Sequence, residues 1–241
     1  MTFKTEIVPT NNGYGWTSTI PNQVTVALLE WLSKGKEPSP LVLDVGPGLG
    51  VATLPLLETG ARVIALDLEE SHLATIRQET ERRSISNRLT TVVGRFPGSL
   101  QFEELDAIHC SNVLHFLPGS EIEIGASKMY EWLKPGGKVF LQVGTIYAGH
   151  IKRLLPVFEK RRQAGVLWAG ETHEAKEYVA ADYREATPAF MNYLDGLPLS
   201  KTFAQEGFRI ERSWYYTRTG LPDAFRWDGR EHYGMIMKRT C

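Results

Sequence analysis

Short apolar runs alternate with segments of helical periodicity through the first half of the chain. In Gln23–Leu32, apolar residues recur at spacings of three and four, which predicts a helix with one face on a core. Leu41–Val45 and Arg62–Leu66 are nearly continuous apolar runs, separated by a segment of helical length at Val51–Thr59. Such runs between helices predict parallel strands that are buried on both faces of a sheet.

The alternation continues to Gly144. The next predicted strands are Leu89–Val93, Leu105–Cys110 and Lys138–Val143, and the next predicted helices are Ser71–Arg83 and Ile122–Leu133. The inward positions expected in the last helix are Ile124, Met129, Trp132 and Leu133, before the Lys134–Gly137 turn ends it. This order predicts an α/β fold, a doubly wound, Rossmann-like, mostly parallel sheet with helices on both faces. Ligands of such sheets bind outside the carboxyl ends of the strands.

The rest of the chain has a looser pattern. Phe208–Thr217 and His232–Arg239 are β-rich, and we expect them to pair as an antiparallel hairpin at the sheet edge. The segment 147–199 is too long for a simple crossover and includes a helical pattern, so a cap insertion is predicted there. We expect one domain over 1–241, with 1–22 as an N-terminal segment that either closes as a lid or packs on the sheet edge.

Length, charge and cysteine content exclude several classes of protein. The chain has 241 residues, the size of one large domain, and 27 Lys and Arg against 28 Asp and Glu, so nucleic acid is disfavoured as a partner. Cys110 and Cys241 are too few for a disulfide framework or a zinc site. No apolar stretch has the length of a membrane span, and the first twenty residues lack a signal-peptide pattern. A cytoplasmic protein without a membrane partner is expected, and its oligomeric state stays open.

Candidate chemistry is concentrated in the stretch LVLDVGPGLGVAT, Leu41–Thr53, where a strand enters a glycine-rich turn and then a helix. Gly46, Gly48 and Gly50 allow a sharp turn and close approach of a ligand to the backbone. The spacing is G-x-G-x-G, because Val51 stands where a dinucleotide fingerprint has its third glycine. An adenosine-type ligand is therefore expected, with NAD the weaker candidate.

A second acid follows the next predicted strand. Asp67 can accept hydrogen bonds from both hydroxyls of a ribose that lies over the glycine turn, with Leu68 beside the adenine. Alternatively, Asp67 is the N-cap of a helix that begins at Glu69 and Glu70. The two roles are compatible.

Four motifs in the correct order make the sequence resemble the class I S-adenosylmethionine-dependent methyltransferases. They are D-V-G-P-G-L-G, Asp67 after the second strand, C-S-N-V-L-H-F-L after the fourth and L-K-P-G-G-K-V-F before the fifth, and together they cover Leu41–Gly144. The resemblance implies S-adenosylmethionine as cofactor and S-adenosylhomocysteine as product. The cofactor-binding residues that it implies are Asp44, Gly46, Gly48, Gly50, Asp67, Leu68, Cys110, Ser111 and Asn112.

The chain departs from this family after the third strand. Many members have an acidic residue there that reaches the adenine amino group, whereas this chain has Arg95 and Phe96. Backbone groups, or stacking on a ring or a guanidinium, would then replace that contact, and Phe96 is the candidate ring.

The acceptor is harder to predict from the residues. The chain has no N-P-P-Y motif, Cys110 follows His109 where cytosine carbon methyltransferases have a proline, and no metal-ligand spacing occurs, so no metal is expected. Alignment of the acceptor with the methyl group suffices for transfer, or a general base assists. The candidate bases are His115, His150 and Tyr147.

Nearly half of the Phe, Trp and Tyr residues lie between Tyr178 and Tyr233, as an acceptor-binding wall or as the core of the insertion. The acceptor-site candidates are Tyr14, Trp16, Tyr147, Tyr178, Tyr193 and Trp214. The function expected is methyl transfer to an oxygen or nitrogen of a small molecule. The alternatives are methylation of a peptide or protein, and a protein that binds the cofactor without transferring its methyl group.

Overall fold

The computed structural model describes residues 7–10, 16–35 and 37–240. Its strands are β1 (Ile7–Pro9), β2 (Trp16–Ser18), β3 (Leu41–Val45), β4 (Arg62–Asp67), β5 (Leu89–Val93), β6 (Leu105–Ser111), β7 (Leu133–Gly144), β8 (Glu171–Thr172), β9 (Met191–Asn192), β10 (Phe208–Tyr216) and β11 (His232–Arg239). Its helices are α1 (Gln23–Lys34), α2 (Thr53–Glu58), α3 (Glu70–Arg82), α4 (Gly119–Trp132), α5 (Leu155–Gln163), α6 (Ala175–Tyr178) and α7 (Gly196–Gln205).

Seven of these strands form the central sheet, in the order β10-β11-β7-β6-β3-β4-β5. The five strands from β3 to β7 are mutually parallel, whereas β11 is antiparallel to both β7 and β10. The predicted parallel sheet and the predicted C-terminal hairpin are both confirmed. The order reverses at β3, which lies between β4 and β6, and such a switch point leaves a crevice at the carboxyl ends of the strands.

The apolar runs are explained by burial on both faces of the sheet. Val42 packs in a cluster with α1 and α2 on one face, and the next residue, Leu43, packs with α4 and α7 on the other. Side chains of a strand alternate between faces, so a strand covered on both sides needs apolar residues at nearly every position.

Helix α4 differs from the sequence prediction in its inward face. Its buried residues are Ile122, Gly125, Ala126, Met129 and Trp132. Ile124 was predicted to face inward but is 51% exposed, because it lies two positions from Ile122 and therefore on the opposite side of the helix. The helix ends at Trp132, and Leu133 already pairs with Leu105 as the first residue of β7.

The segment between β7 and α7 has an apolar cluster of its own. A 3-10 turn at Gly149–Leu154, α5, α6 and the small β8-β9 sheet pack around Ile151, Leu154 and Phe158. At the other end of the chain, β1 and β2 pair only with each other among the described strands. None of the described helices has the length and apolarity needed to cross a membrane.

Candidate active site

A cavity of about 660 Å³ lies at the carboxyl ends of the parallel strands. The turn after β3, the end of β4 and the turn after β6 form one end of it, whereas residues from 144 to 193 and from 218 to 232 form the other. Thr10, Ser18 and Ile20 of the N-terminal segment also line it. Its position is the crevice that the strand order creates.

The glycine turn after β3 has a conformation that side chains would obstruct. Gly46 has φ +66, and a Cβ atom placed on it would lie 2.4 Å from Cγ2 of Val113. Gly48 has φ +54, in the left-handed region that favours glycine. The Gly46 amide donates to the carbonyl of Leu66 at 2.8 Å, so the turn is fastened to the end of β4. Gly46 is thus required for packing against Val113, and both glycines leave the cavity lining without side chains at this turn.

Asp67 joins this turn to the start of α3. Its Oδ2 accepts from the amide of Gly48 at 3.2 Å and lies 3.3 Å from Nδ1 of His72, while its Oδ1 accepts from the amide of Glu69 at 2.9 Å. The N-cap of α3 is Glu69 itself, whose carboxylate accepts from the amide of Ser71, so the N-cap role predicted for Asp67 is wrong. A carboxylate offers about four accepting positions, so Oδ1 retains one for a ligand.

Asp44, at the end of β3, is enclosed by protein donors. Thr53 donates its hydroxyl to Oδ2 at 2.6 Å, and Nδ1 of His109 lies 2.8 Å from Oδ1. The carboxylate can only accept here, so Nδ1 of His109 donates, and Nε2 accepts from the Thr25 hydroxyl at 2.9 Å. This network ties α1, β3, α2 and β6 together beneath the cavity.

The turn after β6 is held by side-chain hydrogen bonds. Asn112 has φ +59, and its Oδ1 accepts from Nε2 of Gln142 at 2.9 Å. The hydroxyl of Tyr216 donates to the other end of the Gln142 amide. Oγ of Ser111 accepts from Nδ2 of Asn22 at 2.9 Å. The wall beside the glycine turn is thus positioned by β7, β10 and the N-cap of α1.

Three further histidines line the cavity: His115 in the turn after β6, and His150 and His232 at the other end. Burial lowers the pKa of His115 and of His150 to about 4. Burial and the positive charge of Arg218 lower the pKa of His232 to about 3. All three side chains are therefore neutral near pH 7. Within the described part of the chain, no group of three or more His, Cys, Asp and Glu residues could hold a metal ion.

Aromatic rings form an apolar wall at this end. The ring centroids of His150 and Phe225 are 3.9 Å apart, and those of Phe225 and Tyr183 are 4.8 Å apart. Tyr193 and Met191 also line the cavity. Such a surface, with few polar groups, suits a small ligand that has an apolar body.

Known proteins share the motif-bearing part of this chain. Residues 42–137 match the family described as a methyltransferase domain. Erythromycin 3''-O-methyltransferase from Saccharopolyspora erythraea is 34% identical over 121 residues, which cover 48% of this chain and 36% of that protein. Ribosomal protein L11 methyltransferase from Burkholderia multivorans is 27% identical over 133 residues, 51% of this chain and 41% of that protein.

A solved structure extends the likeness over the fold. Magnesium protoporphyrin IX methyltransferase from Synechocystis PCC 6803, determined with bound S-adenosylhomocysteine, aligns with a TM-score of 0.60 at 19% identity, over 90% of this chain and 82% of that one. The motif-bearing part of the chain, residues 42–137, is thus similar to known methyltransferases, and the fold matches that of a methyltransferase with bound S-adenosylhomocysteine. The chain spans less than half the length of the two curated relatives, and the structural match at this identity shows the fold alone.

Most of the residues that the superfamily resemblance implied do line the cavity. They are Asp44, Gly46, Gly48, Asp67, Leu68, Ser111 and Asn112, together with Phe96, predicted as the adenine-stacking ring. Their contact with the cofactor stays a prediction.

Two predicted cofactor residues, Cys110 and Gly50, do not line the cavity. Cys110 is fully buried in the core, where burial and the Asp44 carboxylate raise the pKa of its thiol. Adjacent strand residues face opposite sides, so His109 reaches the cavity wall and Cys110 does not. Gly50, with φ +83, serves packing, since a Cβ atom there would lie 3.1 Å from Cγ1 of Ile76.

Some of the predicted acceptor contacts and candidate bases line the cavity, and others do not. Tyr193, His115 and His150 line the cavity, but Tyr147, Tyr178 and Trp214 do not. Tyr178 packs in the insertion's apolar cluster, and Trp214 packs against α1 and donates to Gln23 at 2.9 Å.

Tyr147, predicted both as a base and as an acceptor contact, is directed away from the cavity. Its hydroxyl donates to Oδ2 of Asp195 at 3.4 Å, and burial and the Asp195 charge raise its pKa. Tyr14 lies outside the described residues, and Trp16 is described only through its backbone in β2, so the predicted lid contact of both stays a prediction.

The sequence reasoning missed several lining residues, among them Tyr183, Arg218, Phe225 and His232. The pairing of Tyr216 with His232, and of His232 with Gly144, brings the end of β10 and the start of β11 to the carboxyl edge of the sheet. The predicted hairpin could have indicated these residues, since an antiparallel hairpin beside the last parallel strand places its connecting loop at that edge.

Proposed function

We propose that this chain binds S-adenosylmethionine across the glycine turn and transfers the methyl group to an oxygen or nitrogen of a small-molecule acceptor. The observation that carries the proposal is the turn itself. A left-handed backbone at Gly46 and Gly48, which line the cavity without side chains, adjoins the Asp67 carboxylate in a cavity at the switch point of the sheet. The likeness of residues 42–137 to methyltransferase domains supports the same cofactor.

The residues at this end fit the chemical groups of that cofactor. A backbone cradle without Cβ atoms admits its amino-acid part, and the accepting position on Oδ1 of Asp67 suits a ribose hydroxyl. Phe96 and Leu68 offer apolar surface for the adenine. When bound, the cofactor supplies an electrophilic methyl group on a sulfonium. The chain's part is to orient the acceptor and to exclude water.

The other end of the cavity fits a small acceptor better than a protein segment. It is walled by His150, Tyr183 and Phe225, which pack ring against ring. His115 and His150 are neutral near pH 7, so either can accept a proton from a hydroxyl acceptor. With pKa values of about 4 they are weak bases, and orientation is the larger contribution.

Calorimetry tests the cofactor. S-adenosylmethionine and S-adenosylhomocysteine are expected to bind with micromolar dissociation constants, roughly −8 kcal/mol, and NAD is expected not to displace them. Equal binding of NAD would contradict the argument from glycine spacing. Accumulation of S-adenosylhomocysteine with an acceptor from a panel of phenols, amines and carboxylic acids distinguishes a methyltransferase from a protein that only binds the cofactor.

Replacement of Phe225 by alanine tests the acceptor end. We expect kcat/KM for an acceptor identified with the panel to fall by about tenfold or more, because a large aromatic ring of the cavity wall is lost. The dissociation constant of S-adenosylhomocysteine should change less than twofold. Trp214→Phe is the matched control, since Trp214 packs outside the cavity and this variant should retain turnover. Equal damage to cofactor binding and turnover in Phe225→Ala would show that the ring only supports the fold.

A further inference from the structure

Arg218 brings a positive charge to the acceptor end of the cavity. Two arginines and no lysine line the cavity within the described chain, Arg95 and Arg218. Arg95 is already paired, at 2.5 Å, with Glu121. Arg218 has no salt bridge or hydrogen bond to any described residue, and burial lowers its pKa with only Tyr216 opposing. A guanidinium remains protonated in proteins, so a charge held here without a partner is unfavourable until an anion binds.

Glu231 also lines this end of the cavity, but it is not an ionic partner of Arg218. Glu231 is buried, and its carboxylate accepts from the Thr217 hydroxyl at 2.5 Å and from the amides of Trp227 and Gly229 at 2.6 and 3.0 Å. Burial opposes its ionisation, but these hydrogen bonds outweigh burial and lower its pKa to about 2. Three of its accepting positions are thus used within its own loop, and it makes no salt bridge with Arg218, which is left for a ligand.

Arg218 also lies far from the cofactor end. Its charge acts on His232, the first residue of β11, and β11 is separated from β3 by β7 and β6. Three strand spacings amount to roughly 14 Å, so the part of the cavity beside His232 and Arg218 is separated from the glycine turn by about that distance across the sheet. His232 and Tyr216 interact with the charge of Arg218, which lines the same cavity as His150, Tyr183 and Phe225.

We propose that the methyl acceptor carries a carboxylate, which binds to Arg218 as a recognition group while the apolar body of the molecule lies along Tyr183 and Phe225. The planar guanidinium presents paired donors that match a carboxylate. The methylated oxygen or nitrogen is a different group of the same molecule, nearer to the glycine turn. This inference rests on the proposed function, because it names the class of acceptor for the same cavity.

Binding of model carboxylates tests the inference without knowledge of the natural acceptor. Benzoate, 3-phenylpropanoate and indole-3-acetate, each paired with its neutral primary amide, are titrated into the protein saturated with S-adenosylhomocysteine. At least one carboxylate should bind between about tenfold and a hundredfold more tightly than its amide, the contribution of hydrogen bonds to a charged group. Arg218→Gln should abolish this preference, keep the thermal midpoint of the wild type and change the affinity for S-adenosylhomocysteine less than twofold.

Arg209→Gln is the matched control. Arg209 lies near the start of β10, the strand that precedes Arg218, but it is exposed and pairs with Glu211, so its replacement should keep the preference for carboxylates. If no carboxylate binds better than its amide, or if Arg218→Gln retains the preference, the inference is wrong. Failure of S-adenosylhomocysteine to bind would instead contradict the proposed function, and the same titrations without it would then measure the preference by itself.

Discussion

Gly46→Ala is expected to weaken the binding of S-adenosylhomocysteine by at least tenfold and to lower the free energy of unfolding by about 2 to 4 kcal/mol. The new Cβ atom meets two obstacles. The residue has φ +66, which an L side chain rarely adopts, and the atom would lie 2.4 Å from Cγ2 of Val113. Val113 follows Asn112 in the turn after β6, so relief of the clash moves two walls of the proposed cofactor site apart.

Two further variants separate the causes. Gly60 has φ +93 with no atom within 4 Å of an added Cβ, so Gly60→Ala measures backbone strain alone and should leave cofactor affinity unchanged. Gly46→Ala combined with Val113→Ala removes the clashing methyl group and should restore part of the affinity. Calorimetry and urea unfolding give both quantities. Wild-type affinity in Gly46→Ala would place the cofactor away from this turn.

The sequence predicted those parts of the fold that depend on local pattern. Leu41–Val45 and Arg62–Leu66 are apolar at nearly every position because both faces of β3 and β4 are covered, and the turn after β3 carries its glycines at the positions that need positive φ. Both facts are visible in a few consecutive residues. The fold and the proposed cofactor end of the cavity could therefore be predicted from the sequence.

The acceptor end of the cavity could not be predicted from the sequence, because its residues come together only through the tertiary structure. Arg218 and Phe225 belong to the connection between β10 and β11, His232 is the first residue of β11, and His115 and His150 come from two other turns. Aromatic enrichment marked the right region of the chain, but enrichment does not distinguish a ring that packs in a cluster, such as Tyr178, from one that lines a cavity, such as Tyr193.

Asp44 and Asp67 occupy similar motif positions, but their hydrogen-bond partners give them different roles. Both follow a buried strand, and the resemblance implied that both contact the cofactor. Both oxygens of Asp44 already accept hydrogen bonds, from Thr53 and His109, and it joins four elements beneath the cavity. Asp67 also accepts from protein groups, yet its Oδ1 has only the Glu69 amide. Of the two, Asp67 is the more exposed, at 7% against 1% for Asp44, so its remaining accepting position on Oδ1 is the better placed for a ribose.

Asp67→Ala is therefore expected to weaken cofactor binding by about 1.5 to 3 kcal/mol, roughly tenfold to 150-fold, since a charged hydrogen-bond acceptor is removed from the ribose. The same change frees the amides of Gly48 and Glu69, so part of the loss could come from a looser turn. Glu69→Ala is the control for that effect. It removes the side-chain cap of α3, which should cost about 0.5 to 2 kcal/mol of stability, and leaves Asp67 in place.

A ligand that lacks one hydroxyl isolates the ribose contact itself. The 2′-deoxy analogue of S-adenosylhomocysteine should bind the wild type more weakly than S-adenosylhomocysteine does, and Asp67→Ala should bind the two ligands equally, because the group that distinguishes them is gone. The coupling between protein change and ligand change, measured by calorimetry, then excludes a general loosening of the turn, which would weaken both ligands alike. If the variant still discriminates between them as the wild type does, Asp67 serves only to hold Gly48 and Glu69, and the ribose lies elsewhere in the cavity.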